Sequence, residues 1–140
     1  MKKSMAVMLC ATLTLLLIGC GSGKNHTDDV IGKAFVYENE GFYGDFVINI
    51  KNDGTFTYYE GMASSYFGIG KWKIDGNTIV LANEVPTLNG TRTITNIFEI
   101  GNGQLTWKAE GSDNFTYVEV KDGEAFCEQR LAESTDELRS

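Results

Sequence analysis

From Lys33 to Lys121 the chain is divided into short runs rich in Val, Ile, Thr, Tyr, Phe and Trp, and Gly paired with Asn or Asp separates one run from the next. That rhythm reads as strands joined by hairpins. The run Tyr43 to Lys51 shows why: Phe46, Ile48 and Ile50 alternate with Asp45 and Asn49, and a period of two gives a strand one apolar face. Asn52-Asp53-Gly54 then predicts a turn into Thr55 to Glu60, where Phe56 and Tyr58 share a face. Ala34 to Glu38 precedes this pair. Tyr66 to Ile74 and Thr78 to Asn83 follow across Asp75-Gly76-Asn77, with Gly68, Gly70, Trp72 and Ile74 on the inner side. Successive inward glycines predict close backbone approach or a bend, which lets a small sheet curl shut.

Glu84 to Gly90, which holds the only proline, Pro86, reads as a loop. Thr91 to Ile100, Gln104 to Ala109 and Asn114 to Lys121 complete about eight strands, with Asn96 a polar exception on an otherwise apolar face. Glu124 to Ser140 loses strand character and reads as a short, frayed helix. Regular spacing and hairpin connections predict an all-β antiparallel meander that closes as a barrel or a sandwich, the connectivity favouring the barrel. The barrel domain is expected over 30–126, with a tail over 127–140.

The first residues read differently. Lys2 and Lys3 precede a 14-residue apolar stretch, Met5 to Ile18, whereas a membrane-spanning helix needs about 20 residues. A charged start, a short apolar core and a small residue at a cut site are the secretory pattern. Leu17-Ile18-Gly19-Cys20 resembles the bacterial lipobox, and that resemblance implies diacylglycerol on Cys20 with cleavage after Gly19. Residues 1–19 are then a signal peptide and 20–29 a lipidated tether, with palmitate-type chains holding the protein to the membrane. Two acyl chains anchor stably where one does not.

Cleavage leaves 121 residues with 10 basic and 19 acidic side chains, a net charge of −9. So acidic a chain is a poor partner for nucleic acid, whose recognition needs a basic face. Cys10 leaves with the signal and Cys20 is acylated, so Cys127 stands alone and is expected as a half-buried small hydrophobe. The only histidine, His26, lies in the tether, so no zinc site of the usual kind and no serine-histidine pair can be assembled. Asn52-Asp53-Gly54, Asp75-Gly76-Asn77 and Ser112-Asp113-Asn114 lack the spacing of a calcium loop and read as turns. Glu38, Glu40, Asp45, Glu60 and Glu119 read as solvent-facing or loop positions. No metal, no cofactor and no enzymatic activity are expected.

The aromatics are the most informative side chains. Phe56 to Phe67 concentrates five of them around one hairpin. Adjacent rings, Tyr58 with Tyr59 and Tyr66 with Phe67, must point to opposite faces. These four are either a half-buried rim or a patch for an apolar or sugar-like ligand or a protein partner. Trp72 and Trp107 read as core plugs.

Ile31-Gly32-Lys33, Phe35 to Phe42, Gly44-Asp45-Phe46, Asp53 to Gly61, Ser64-Ser65-Tyr66 and Glu110 to Phe115 together resemble a small extracytoplasmic domain of Firmicutes. That domain occurs as lipoproteins and as a C-terminal extension of BlaR-like membrane metallopeptidases. Gly70-Lys71-Trp72 followed by Asp75-Gly76 is also similar to lipocalin-like barrels. The resemblance implies an accessory binding or sensing role on the extracytoplasmic face of the cell membrane. It carries no catalytic residue, because the peptidase motif HExxH is absent from this chain. The alternative expectation is a structural or protein-interaction component of the envelope with a solid core.

Overall fold

A computed structural model describes residues 26–61 and 67–129. Eight antiparallel strands close into one barrel, each pairing with its neighbours in chain order and the last returning to the first. They are β1 Lys33–Tyr37, β2 Phe46–Ile50, β3 Thr55–Tyr59, β4 Phe67–Asp75, β5 Thr78–Thr87, β6 Gly90–Gly101, β7 Gln104–Lys108 and β8 Ala125–Glu128. A one-turn helix, α1 Thr27–Val30, precedes them. It takes Thr27 to Asp29 out of the expected tether and buries Val30 in the core.

The turns obey local chemistry. Asn102 and Gly103 both have positive φ, 53° and 71°, the backbone that matches a two-residue connection to the twist of β6 and β7. At the β2–β3 turn, Asp53 Oδ1 accepts the Thr55 N–H at 2.9 Å, the self-bonding that makes aspartate a turn residue.

Eight strands enclose an interior just wide enough for side chains to fill. Phe35, Phe46, Phe56, Phe98 and Phe126 fill it, with Ile48, Ile79 and Leu105, all fully buried. Phe126 stands edge-on to Phe46 and Phe98, with centroids 5.1 and 5.4 Å away, in the tilted geometry aromatic rings prefer. The inward glycines do what their spacing predicts. A Cβ on Gly68 would fall 2.3 Å from the Tyr58 ring, and one on Gly70 would fall 2.1 Å from the Ala82 carbonyl oxygen. Of the two tryptophans, Trp107 is buried, but Trp72 sits at the barrel's edge, half-buried, donating its Nε1–H to the Lys51 carbonyl at 2.8 Å.

Three segments depart from the sequence expectation. Glu84 to Gly90 is strand rather than loop: β5 and β6 stay paired out to Thr87 and Gly90, while β4 leaves β5 after Ala82. Pro86 therefore lies where β5 has an open edge, a place that needs no N–H from it. Asn114 to Lys121 forms no strand but lies in an irregular segment, 109–124, between β7 and β8. The chain is instead closed by Ala125–Glu128, expected as the start of a helix, which pairs with both β7 and β1. Cys127 alternates outward between Phe126 and Glu128 and is exposed rather than half-buried.

Candidate functional site

Strand direction gives the barrel two distinct ends. The N-terminal helix, the tight turns at 51–54, 76–77 and 102–103, and residue 129 lie at the lower end. The upper end carries the 38–45 loop, the end of β3, the projecting β5–β6 hairpin and the 109–124 segment.

The 109–124 segment is a lid. Phe115 packs edge-on against Phe46 at 4.7 Å, and Val118 and Val120 of the same segment are buried. Carboxylates hold it down at several points. Glu60 is fully buried, and its oxygens accept the N–H groups of Thr116, Tyr117 and Val118 at 3.2, 2.6 and 3.3 Å. Read as a solvent-facing or loop position, Glu60 does lie just past the end of β3 but does not face solvent. Glu60 continues the inward register of Phe56 and Tyr58, so alternation delivers it to the top of the core, where the lid's backbone supplies its partners.

Asp113 fixes the lid to β6. Its Oδ2 accepts the Thr95 N–H at 2.9 Å, its Oδ1 accepts Arg92 Nη2 at 2.6 Å, and its carbonyl accepts Asn96 Nδ2 at 2.7 Å. The Thr95 N–H, then the Arg92 guanidinium, hold the Asp113 carboxyl below the usual range although burial pushes the other way. At the lid's exit, Glu124 accepts the Lys121 N–H at 2.7 Å and the Tyr37 hydroxyl at 2.9 Å, in that order lowering its pKa. Burial first, and Glu124 second, raise that of Tyr37.

Above the lid lies an aromatic surface that the sequence reading did not single out. Phe42 is 88% exposed and stands edge-on to Tyr43, which in turn contacts Tyr117, itself 39% exposed, both at 5.6 Å between centroids. The only local hint was Phe42-Tyr43 inside a polar, glycine-flanked loop. Tyr117 reaches them from a segment far away in sequence. Glu38, Glu40 and Asp45 of the same loop and Glu119 of the lid are all exposed.

Of the four aromatics expected as a patch, Tyr58 is separated from Tyr59 and Phe67. Tyr58 is buried among Phe46, Phe56 and Phe115, because its register points it inward. Tyr59 and Phe67 face outward as directly paired residues, their centroids 6.3 Å apart, with Phe67 half exposed. Tyr66 lies outside the described residues, as does Cys20.

Three depressions flank the filled core. One of about 760 Å³ runs along the outer wall by Lys33, Asn49, Thr57 and Glu128. A second, of about 590 Å³, lies in the curl of the lid over Trp107. The third, about 470 Å³, adjoins Val36, Asp45 and Cys127. Among the described residues, no three His, Cys, Asp or Glu side chains are grouped to hold a metal ion, and no helix is long and apolar enough to cross a membrane. No protein-family model, curated protein or solved structure matches the chain.

Proposed function

We propose that this protein is a lipoprotein held by Cys20 to the extracytoplasmic face of the cell membrane, and that its barrel is a non-enzymatic binding module receiving a partner on its outer, upper end. The observation that carries the reading is the exposed Phe42-Tyr43-Tyr117 surface on a barrel whose interior is already occupied by phenylalanines. Exposed large apolar groups gathered in one place mark interaction surfaces.

Chain direction supports the orientation. Thr27 is seven residue steps from Cys20, a span of at most about 25 Å, and it begins the helix at the lower end. A lipid on Cys20 therefore turns the lower end toward the bilayer and the aromatic end away from it. The packed core equally suits an envelope component with a purely structural role, the second reading.

A photo-reactive phenylalanine analogue placed at position 42 in the full-length protein should give a discrete adduct in intact cells, and the same group at position 73, on the lower wall, should not. Equal adducts from both positions, or none from 42, would remove the upper end as the binding surface and leave the structural reading. Separately, Cys20→Ser should release the protein from membranes and abolish its labelling by palmitate. Retention of the variant at the membrane would refute the anchor.

A further inference from the structure

The upper surface has a charge character that its rings alone do not express. Glu38, Glu40 and Asp45 are exposed in or beside the loop that carries Phe42 and Tyr43, and Glu119 is exposed two residues after Tyr117. Of the bases near this end, Arg92 bonds to Asp113 and Lys108 bonds to Glu99 at 3.0 Å, while Lys121 of the lid is exposed. Lys33, Lys51, Lys71 and Lys73, four of the six lysines among the described residues, lie toward the lower end. Asp28, Asp53 and Asp75 are exposed at the lower end, but beside those four lysines; at the upper end the exposed carboxylates outnumber the bases, and that is the end that carries Phe42 and Tyr117.

We infer that the upper end binds a cationic polypeptide segment in which Lys or Arg residues alternate with apolar ones. The inference rests on the function proposed above and names the partner's chemistry. Each part of the surface asks for one part of that partner. Carboxylates of the same loop and lid attract the cationic groups and repel anionic lipid or nucleic acid. The exposed faces of Phe42 and Tyr117 offer a cation–π seat and an apolar contact, which a bare inorganic cation would leave unused. Lys and Arg stems bring methylene groups that cover apolar surface while the charged head reaches the rim.

The test uses the mature protein and three labelled 14-residue peptides, made of alternating Lys and Leu, Glu and Leu, or Lys and Gly, with binding read by fluorescence anisotropy. The Lys/Leu peptide should bind at least about tenfold more tightly than either of the others, and more weakly as salt rises. Phe42→Ala with Tyr117→Ala, and separately Glu38→Gln with Glu40→Gln, should each weaken it by about tenfold or more, while Lys73→Gln should leave it unchanged. Phe42→Ala alone removes an almost fully exposed ring and so guards against misfolding as an explanation.

Equal binding of the Glu/Leu peptide, or binding untouched in both double variants, would overturn the inference, as would no binding of the Lys/Leu peptide. If those results came with a position-42 adduct in cells, the surface would stand and only its cationic partner would fall. Loss of the adduct as well would take down both.

Discussion

Glu60 is the residue whose role in the structure most exceeds what its local sequence announces. A carboxylate with no exposed surface is tolerated because three backbone N–H groups surround it, and hydrogen bonds to a charged acceptor are worth more than neutral ones. Glu60→Ala would leave the Val118 N–H buried and unpaired, and should cost about 2–3 kcal/mol in urea denaturation. Glu60→Gln keeps one carbonyl acceptor and should lose about half as much. Glu40→Gln, at an exposed loop position, should stay within about 0.5 kcal/mol of the parent; comparable losses in all three would dissociate stability from the lid contact. Gly68 makes the converse point, an absent side chain with a structural job. Since a Cβ there meets the Tyr58 ring, itself locked between Phe46 and Phe115, Gly68→Ala should cost about 1–3 kcal/mol.

Among the elements, the hairpins could be read from the sequence and the lid could not. Turn residues and period-two alternation act between neighbours, so β2, β3 and β7 fall close to where the pattern puts them. Phe115 to Val120 is as rich in strand-favouring residues, yet its backbone bonds to a carboxylate more than fifty residues earlier, and Asp113 just before it bonds to β6. The adjacent apolar pair Tyr117-Val118 breaks the phase, but which partner the segment takes is not a local matter. The lid's attachment also sets its response to acid. The Asp113 and Glu124 pKa values are lowered in the fold, so their stabilising contribution is complete above the ordinary carboxylate values of about 4 and is lost as pH falls through the lowered ones. Fluorescence of Trp107, read in a Trp72→Phe background, should report lid loosening below about pH 4, and Asp113→Asn should shrink that transition. A Trp107 signal that is flat to pH 2.5 would show that these carboxylates do not hold the lid.

For the whole molecule, closure depends on the four residues of β8. Phe126 fills the centre of the core and touches Tyr37, Phe46, Phe98 and Phe115, so Phe126→Ala should cost about 3–5 kcal/mol. A chain stopped after Glu124 leaves β1 and β7 as open edges and should lose cooperative unfolding by circular dichroism. Full cooperativity in that truncated chain would mean that the barrel does not need β8. Closure also brings the two ends of the described chain to one side and places Phe42, Tyr43 and Tyr117 on the other, which gives the proposed partner a defined direction of approach.

Sequence by itself determined the all-β meander, most of its hairpins, the inward glycines and the acidic balance, because each rests on residues within a few positions of one another. It also supplied, through Leu17 to Cys20, the expectation of a lipid anchor. Only the tertiary structure decided that Glu60 is buried, which of Tyr58 and Tyr59 faces inward, and that Phe42, Tyr43 and Tyr117 meet. Those outcomes depend on strand register and on a lid folded back across the whole length of the chain, and the energy that selects them comes from contacts no local window contains.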